Sequence, residues 1–154
     1  MAFLVDGSNL GGRLAGQAGA RDAAGVVRRI LPWSRERREE VLVVFDGPPR
    51  ADVADRYGPL RVVWSGGRSA DDRIVELVKA DPARWAVVTA DRELAGRCRA
   101  EGARVVPADE FAARSSRPRR RRASSREAEG RARKPPAHPH KRDNGRRGFT
   151  DEEP

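Results

Sequence analysis

The chain has 154 residues, of which 38% are apolar and 36% charged, and a formal net charge of +9. That size suits one ordinary domain, and the low apolar share points to a compact core carrying a polar appendage. A lone cysteine, Cys98, excludes an intramolecular disulfide and fits a reducing compartment. No apolar run nears the ~20 residues that span a bilayer, and Asp6 interrupts the start before a signal-peptide core can form, so a cytoplasmic protein with no membrane partner is expected.

Phe3 to Val5 is short and apolar, which predicts a strand covered on both faces. It ends on Asp6, and Gly7-Ser8 predicts a tight turn. Asn9 to Gln17 is a weak helix because Gly11, Gly12 and Gly16 lower its propensity. Arg21 to Leu31 is a stronger one: Ala23, Ala24, Val27, Ile30 and Leu31 recur at helical spacing, and Pro32 is expected to stop it. Ser34 to Glu40 is charged and expected at the surface. Val41 to Phe45 is the clearest strand, and Asp46-Gly47-Pro48-Pro49 is loop chemistry. Leu60 to Trp64 predicts a third strand.

After a flexible Ser65 to Arg68, Ser69 can cap a helix with Asp72 three residues on. Ile74, Leu77 and Val78 form its apolar stripe, and Asp81-Pro82 ends it. Trp85 to Thr89 is the fourth strand, Asp91 to Ala100 a helix closed by Gly102, Arg104 to Val106 the fifth strand, and Ala108 to Ala113 a short last helix. Strands alternating with helices imply a parallel sheet of about five strands between helical layers, and ligands of such sheets bind beyond the carboxyl ends of the strands.

Four acidic sites, counting adjacent Asp71 and Asp72 as one, fall at or near those ends. Asp6 follows the first strand, Asp46 the second and Asp91 the fourth, while Asp71 and Asp72 open a helix after a glycine-rich loop. Each has a plainer account: Asp6 as part of an Asp-Gly turn, Asp46 as a loop residue, Asp71 and Asp72 as partners of a helix dipole, Asp91 as a helix cap. Together, carboxylates at one sheet edge repel strongly, and a bound Mg²⁺ or Mn²⁺ offsets that cost with hard oxygen ligands. The candidate metal ligands are Asp6, Asp71, Asp72 and Asp91, with Asp46 as a further candidate. Adjacent Asp71 and Asp72 point in different directions, so one of them is expected to face the site. Asn9 joins Asp6, Asp71, Asp72 and Asp91 as the catalytic set. Ser8, Arg68, Ser69, Arg73, Thr89 and Arg92 flank the acids as candidate substrate contacts.

These stretches resemble the NYN domains of the PIN-like nuclease superfamily, and most closely the YacP-like group. The matching text is LVDGSNL over residues 4–10, VVFDG over 43–47, VVWSGGRSADDRI over 62–74, and VVTADREL followed by GARVV within 87–106. The resemblance implies a PIN-like three-layer α/β domain over residues 1–113 and a metal-dependent endoribonuclease. It matches Asp6, Asp71 or Asp72, and Asp91 to the metal-site acids, and Asn9 to a polar partner in the first motif. Some NYN nucleases carry a further Asp four residues after the one matching Asp91; here that position is Ala95.

Residues 114–154 lose all periodicity. From Ser115 onward there are 13 Lys+Arg against 6 Asp+Glu, and the segment is expected to be a disordered basic tail. Its arginines can neutralise phosphates of RNA (mRNA, rRNA or tRNA) or of a ribosome; the plainer account is a solubilising tail. His138 and His140 form an isolated pair there, and the absence of histidine from the domain argues against metal-free His-pair cleavage. Trp33, Trp64 and Trp85 are expected in the core or an interface, and Cys98 in packing. The alternative to an enzyme is a non-catalytic RNA- or ribosome-binding protein that keeps the fold.

Overall fold

A computed structural model describes residues 1–14 and 22–116. Residues 114–116, expected to begin the disordered tail, instead continue the last helix, with Ser115 buried and Arg114 paired to Glu110; the tail expectations from residue 117 on, including the histidine pair, lie outside the described residues. β1 (Ala2–Asp6) is buried along its whole length, and its side chains alternate between two cores. Phe3 and Val5 pack on one side with Val41, Val43, Ile30 and Phe111. Ala2 and Leu4 pack on the other with Leu42, Val44, Ile74 and Leu94. A period of two with both faces buried is what a central parallel strand requires.

The remaining elements are α1 (Gly7–Leu14), α2 (Ala23–Arg37), β2 (Glu40–Phe45), β3 (Arg56–Tyr57), β4 (Leu60–Trp64), α3 (Ala70–Ala80), β5 (Trp85–Thr89), α4 (Arg92–Ala100), β6 (Arg104–Pro107) and α5 (Ala108–Ser116). The sheet order is β3-β4-β2-β1-β5-β6. Five strands are parallel, as expected, and the short β3 adds an antiparallel edge on β4. The core contacts put α1, α2 and α5 on one face and α3 and α4 on the other, giving three layers. None of the described helices is long and apolar enough to cross a membrane.

Three local expectations are corrected. Gly7-Ser8 is the first turn of α1, which continues from β1 with no intervening loop. A Cβ on Gly7 would collide with the Phe45 ring and Val43, so glycine is what lets the helix start this close to the sheet. Pro32 does not end α2 but sits inside it. The ring removes one helical hydrogen bond, at a cost of about 3 kcal/mol. Aromatic packing by the next residue outweighs that loss: Trp33 is buried, with ring centroids 5.5 Å from Phe3 and 5.1 Å from Phe111. Ser34, expected at the surface, is also buried, and its hydroxyl donates to the Glu39 carbonyl at 2.9 Å. The helix ends at Arg38, which takes the left-handed cap conformation with φ 55°.

Candidate active site

The strand order reverses at β1, with β2 on one side and β5 on the other. In sheets of this kind the crevice that takes a ligand lies outside the carboxyl ends of the two strands flanking the reversal, here β1 and β5. Asp6 is the last residue of β1. Asp46 follows β2, Asp91 follows β5, and Asp71 lies in the first turn of α3.

Hydrogen bonds tie these groups into one frame. The Asn9 backbone N–H donates to Asp6 Oδ1 at 3.3 Å, and the Thr89 hydroxyl donates to Asp6 Oδ2 at 3.4 Å. Thr89 Oγ1 also accepts from the Asp91 N–H at 3.1 Å, linking the two acids through one side chain. Asn9 Oδ1 accepts from the Ala90 N–H at 3.0 Å, clasping α1 to the β5–α4 junction. Asp46 joins two helix starts: it accepts from Ser8 Oγ at 3.2 Å and from the Ala70 N–H at 2.8 Å. The loop behind Asp46 is held by Ser65, whose hydroxyl accepts from the Gly47 N–H at 3.1 Å. Asp91 caps α4 by accepting from the N–H groups of Glu93 and Leu94, both on Oδ1.

Electrostatics show that the acids feel one another. Burial pushes the Asp6 carboxyl up to about 6, aided by the charges of Asp71 and Asp46, against the opposing bonds from Asn9 and Thr89. Asp71 is also raised, by burial and then by the charges of Asp91 and Asp46. Asp72 behaves oppositely. Its Oδ1 accepts from Arg97 at 2.9 Å, and that guanidinium holds its carboxyl below the usual range. Asp71 and Asp72 thus have different partners, one among acids and one on a cation.

The profile of the YacP-like NYN domain matches residues 4–146. The chain belongs to the YacP-like NYN domain family. Its fold is similar to crystal structures of Rae1 (YacP) from Bacillus subtilis. One match has 23% identity and a TM-score of 0.59, covering 75% of this chain and 73% of that one. A tryptophan-to-leucine mutant of the same protein matches with 22% identity and a TM-score of 0.59, covering 74% of each chain. No curated protein matches this chain in sequence.

Within this NYN domain the remaining candidates are more scattered. Ser69 caps α3, accepting from the Asp72 N–H at 3.1 Å. Arg68 and Arg73 both pair with Glu76, at 3.3 and 2.8 Å. Arg92 is exposed at the start of α4. Arg97 is a site neighbour that sequence reasoning misses, because nothing local marks an arginine on α4 as the partner of an acid on α3. Trp33 and Trp85 are buried, and Trp64 is partly buried with its ring centroid 5.2 Å from Phe45. Cys98 is fully buried, and burial pushes its thiol up to about 11, which suits packing and not nucleophilic chemistry.

The donor set of Asp6, Asp46, Asp71 and Asp91 is all hard oxygen, which fits Mg²⁺ or Mn²⁺ in kind. Among the described residues, no three acidic, histidine or cysteine groups stand as a ready-made cage. Asp46 and Asp91 are instead engaged with backbone N–H groups. A cavity of about 410 Å³ lies at the other end of the strands, beside Met1, Arg84 and Trp85. Arg84 there is already paired with Glu40 and stacks over the Trp85 ring.

Proposed function

We propose that this protein is a metal-dependent endoribonuclease that hydrolyses RNA phosphodiester bonds at the crevice beyond β1 and β5. The observation that carries the reading is the placement of Asp6, Asp46, Asp71 and Asp91 at one end of the sheet, where burial first and the neighbouring carboxylates second raise both Asp6 and Asp71. Like charges gathered beside a sheet end are costly unless a cation joins them. Asp6, Asp71 and Asp91 would hold Mg²⁺ or Mn²⁺, with Asp46 beside them. When bound, the ion lowers the pKa of a water and neutralises charge developing at phosphorus.

The chain's own groups prepare that site. Thr89 and the Asn9 N–H fix the two oxygens of Asp6, and Asn9 Oδ1 fixes the junction that carries Asp91. Arg68, Arg73 and Arg92, with the hydroxyls of Ser8, Ser69 and Thr89, are the candidate contacts for the scissile phosphate and its neighbours. Asp72, paired to Arg97, supports the start of α3. Cleavage leaves a 3′-hydroxyl and a 5′-phosphate. The basic segment from residue 114 adds affinity for RNA or for a ribosome, in a cytoplasmic setting.

Two observations favour the alternative of a non-catalytic RNA- or ribosome-binding protein. Asp46 and Asp91 are tethered to backbone N–H groups, and a buried Ala95 stands where some NYN nucleases have an acid. The deciding experiment measures cleavage of end-labelled RNA with Mn²⁺, with and without chelator, by the wild type and Asp6→Asn. Cleavage by the wild type that chelator and Asp6→Asn both abolish supports the nuclease; equal cleavage in all samples overturns it.

A further inference from the structure

Beside the acidic centre, a groove of about 610 Å³ runs between α4 and the β6–α5 corner. Thr89 and Asp91 are among its lining residues, so it adjoins the acids at the end of β5. Three guanidiniums line it: Arg13 from α1, and Arg92 and Arg99 from α4. Arg92 and Arg99 are seven residues apart, which places them on one face of the helix about 10 Å apart along its axis. Between them is Ala95, small enough to leave the groove open. Neither Arg92 nor Arg99 has an ion pair among the described residues, whereas Arg13 is held by Asp109 at 3.4 Å.

We propose that this groove is the path of single-stranded RNA leading away from the acidic centre, with Arg92, Arg99 and Arg13 holding successive phosphates. The proposal rests on the RNA-directed reading of the centre and deepens it by giving the strand a direction. Guanidinium groups suit phosphate oxygens because their planar fork matches two of them at once. Asp91 repels an acidic peptide and a phosphodiester alike; on the proposed reading only the phosphodiester gains there, from the cation that the acids would hold. The floor is formed by Ala95, Val105 and Pro107, and no aromatic ring lines the groove among the described residues. It therefore reads the backbone, without the base-stacking platforms that many single-strand binders use. Asp109 acts as a brake, occupying Arg13 until a phosphate displaces it.

The test is fluorescence anisotropy of the full chain with labelled 12-nucleotide oligouridine and oligoadenosine, in chelator, over a salt series. The double variant Arg92→Ala/Arg99→Ala is expected to bind about tenfold more weakly, with the salt slope reduced by about 1.4, or ~0.7 per lost phosphate contact. Asp109→Asn frees Arg13 and is expected to tighten binding by about two- to fivefold, the range of an exposed ion pair. Such a gain cannot come from misfolding. Both oligomers should behave alike. Losses no larger than those of Arg56→Ala and Arg61→Ala, on the opposite sheet edge, would overturn the groove, as would unchanged binding by Asp109→Asn. Chelator keeps cleavage out of the measurement, so failure of the catalytic reading shows separately in the Asp6→Asn cleavage assay.

Discussion

Asn9 and Ala90 are 81 positions apart in the chain, yet Asn9 Oδ1 accepts the Ala90 N–H at 3.0 Å. One amide thereby couples the helix after β1 to the junction after β5. At the same time, the Asn9 backbone N–H bonds to Asp6. Asn9 thus ties the Asp6 carboxylate to the junction that leads into Asp91.

Replacing Asn9 by Ala leaves the Ala90 N–H without its acceptor in a part-buried position. A loss of about 1–3 kcal/mol in stability is expected, the cost of an unsatisfied donor. Asn9→Asp restores an acceptor oxygen and should recover most of that loss, while placing another negative charge near Asp6. Thermal unfolding of the two variants decides the matter. Equal Tm loss in both would show that the side-chain oxygen is not what matters.

Asp6 makes the folded protein sensitive to pH. Its folded carboxyl titrates at about 6, against 3.8 for the unfolded chain. As pH rises from 3.8, the unfolded state gives up a proton that the folded state keeps. Stability from this group is therefore complete below pH 3.8, falls between 3.8 and 6, and is lost above 6. The penalty at neutral pH is about 3 kcal/mol, at roughly 1.4 kcal/mol per pKa unit. Asp6→Asn removes the charge and is expected to unfold at higher temperature than the wild type at about pH 7.5, with the gap closing near pH 4. Mn²⁺ should raise the wild-type Tm and leave Asp6→Asn unmoved. A pH-independent gap between the two proteins would contradict this assignment.

Gly7 is required by packing. Any Cβ there meets Phe45 and Val43, both buried in the core. Gly7→Ala is expected to cost about 1–3 kcal/mol, the usual range for overpacking. Phe45→Leu should recover part of it by making room, measured as the denaturation midpoint of the double variant against each single one. Strict additivity of the two losses would count against a shared clash.

Arg38 closes α2 with a positive φ of 55°, which side chains other than glycine adopt at a cost. Arg38→Gly is expected to stabilise the domain by about 0.5–1 kcal/mol without touching the acidic centre. A lower Tm for this variant would show that the arginine side chain contributes more than its backbone strain removes.

Much of the architecture is legible locally. Apolar runs such as Val41 to Phe45 and Trp85 to Thr89 are short and rich in valine, which favours buried strands over helices, and glycine after a helix or a Ser-x-x-Asp start marks boundaries by backbone chemistry alone. Pro32 misleads because local propensity says nothing of Trp33, whose burial against Phe3 and Phe111 carries the helix past the proline. β3 escapes a sequence reading because two residues, Arg56 and Tyr57, carry no periodicity of their own and pair only once β4 is beside them.

The sequence by itself determined the alternation of strands and helices, the placement of Asp6, Asp46 and Asp91 at or just after strand ends, and the concentration of positive charge from Ser115 onward. All three arise from composition and short-range periodicity, which each segment carries alone. Tertiary structure decided which groups share the crevice and what each is bonded to. It set Asp71 among carboxylates and turned its neighbour Asp72 to Arg97, and it brought Arg13 and Arg99 beside Arg92. Those outcomes depend on strand order and helix packing, because the distances that control charge–charge and hydrogen-bond energies are set only when distant segments meet.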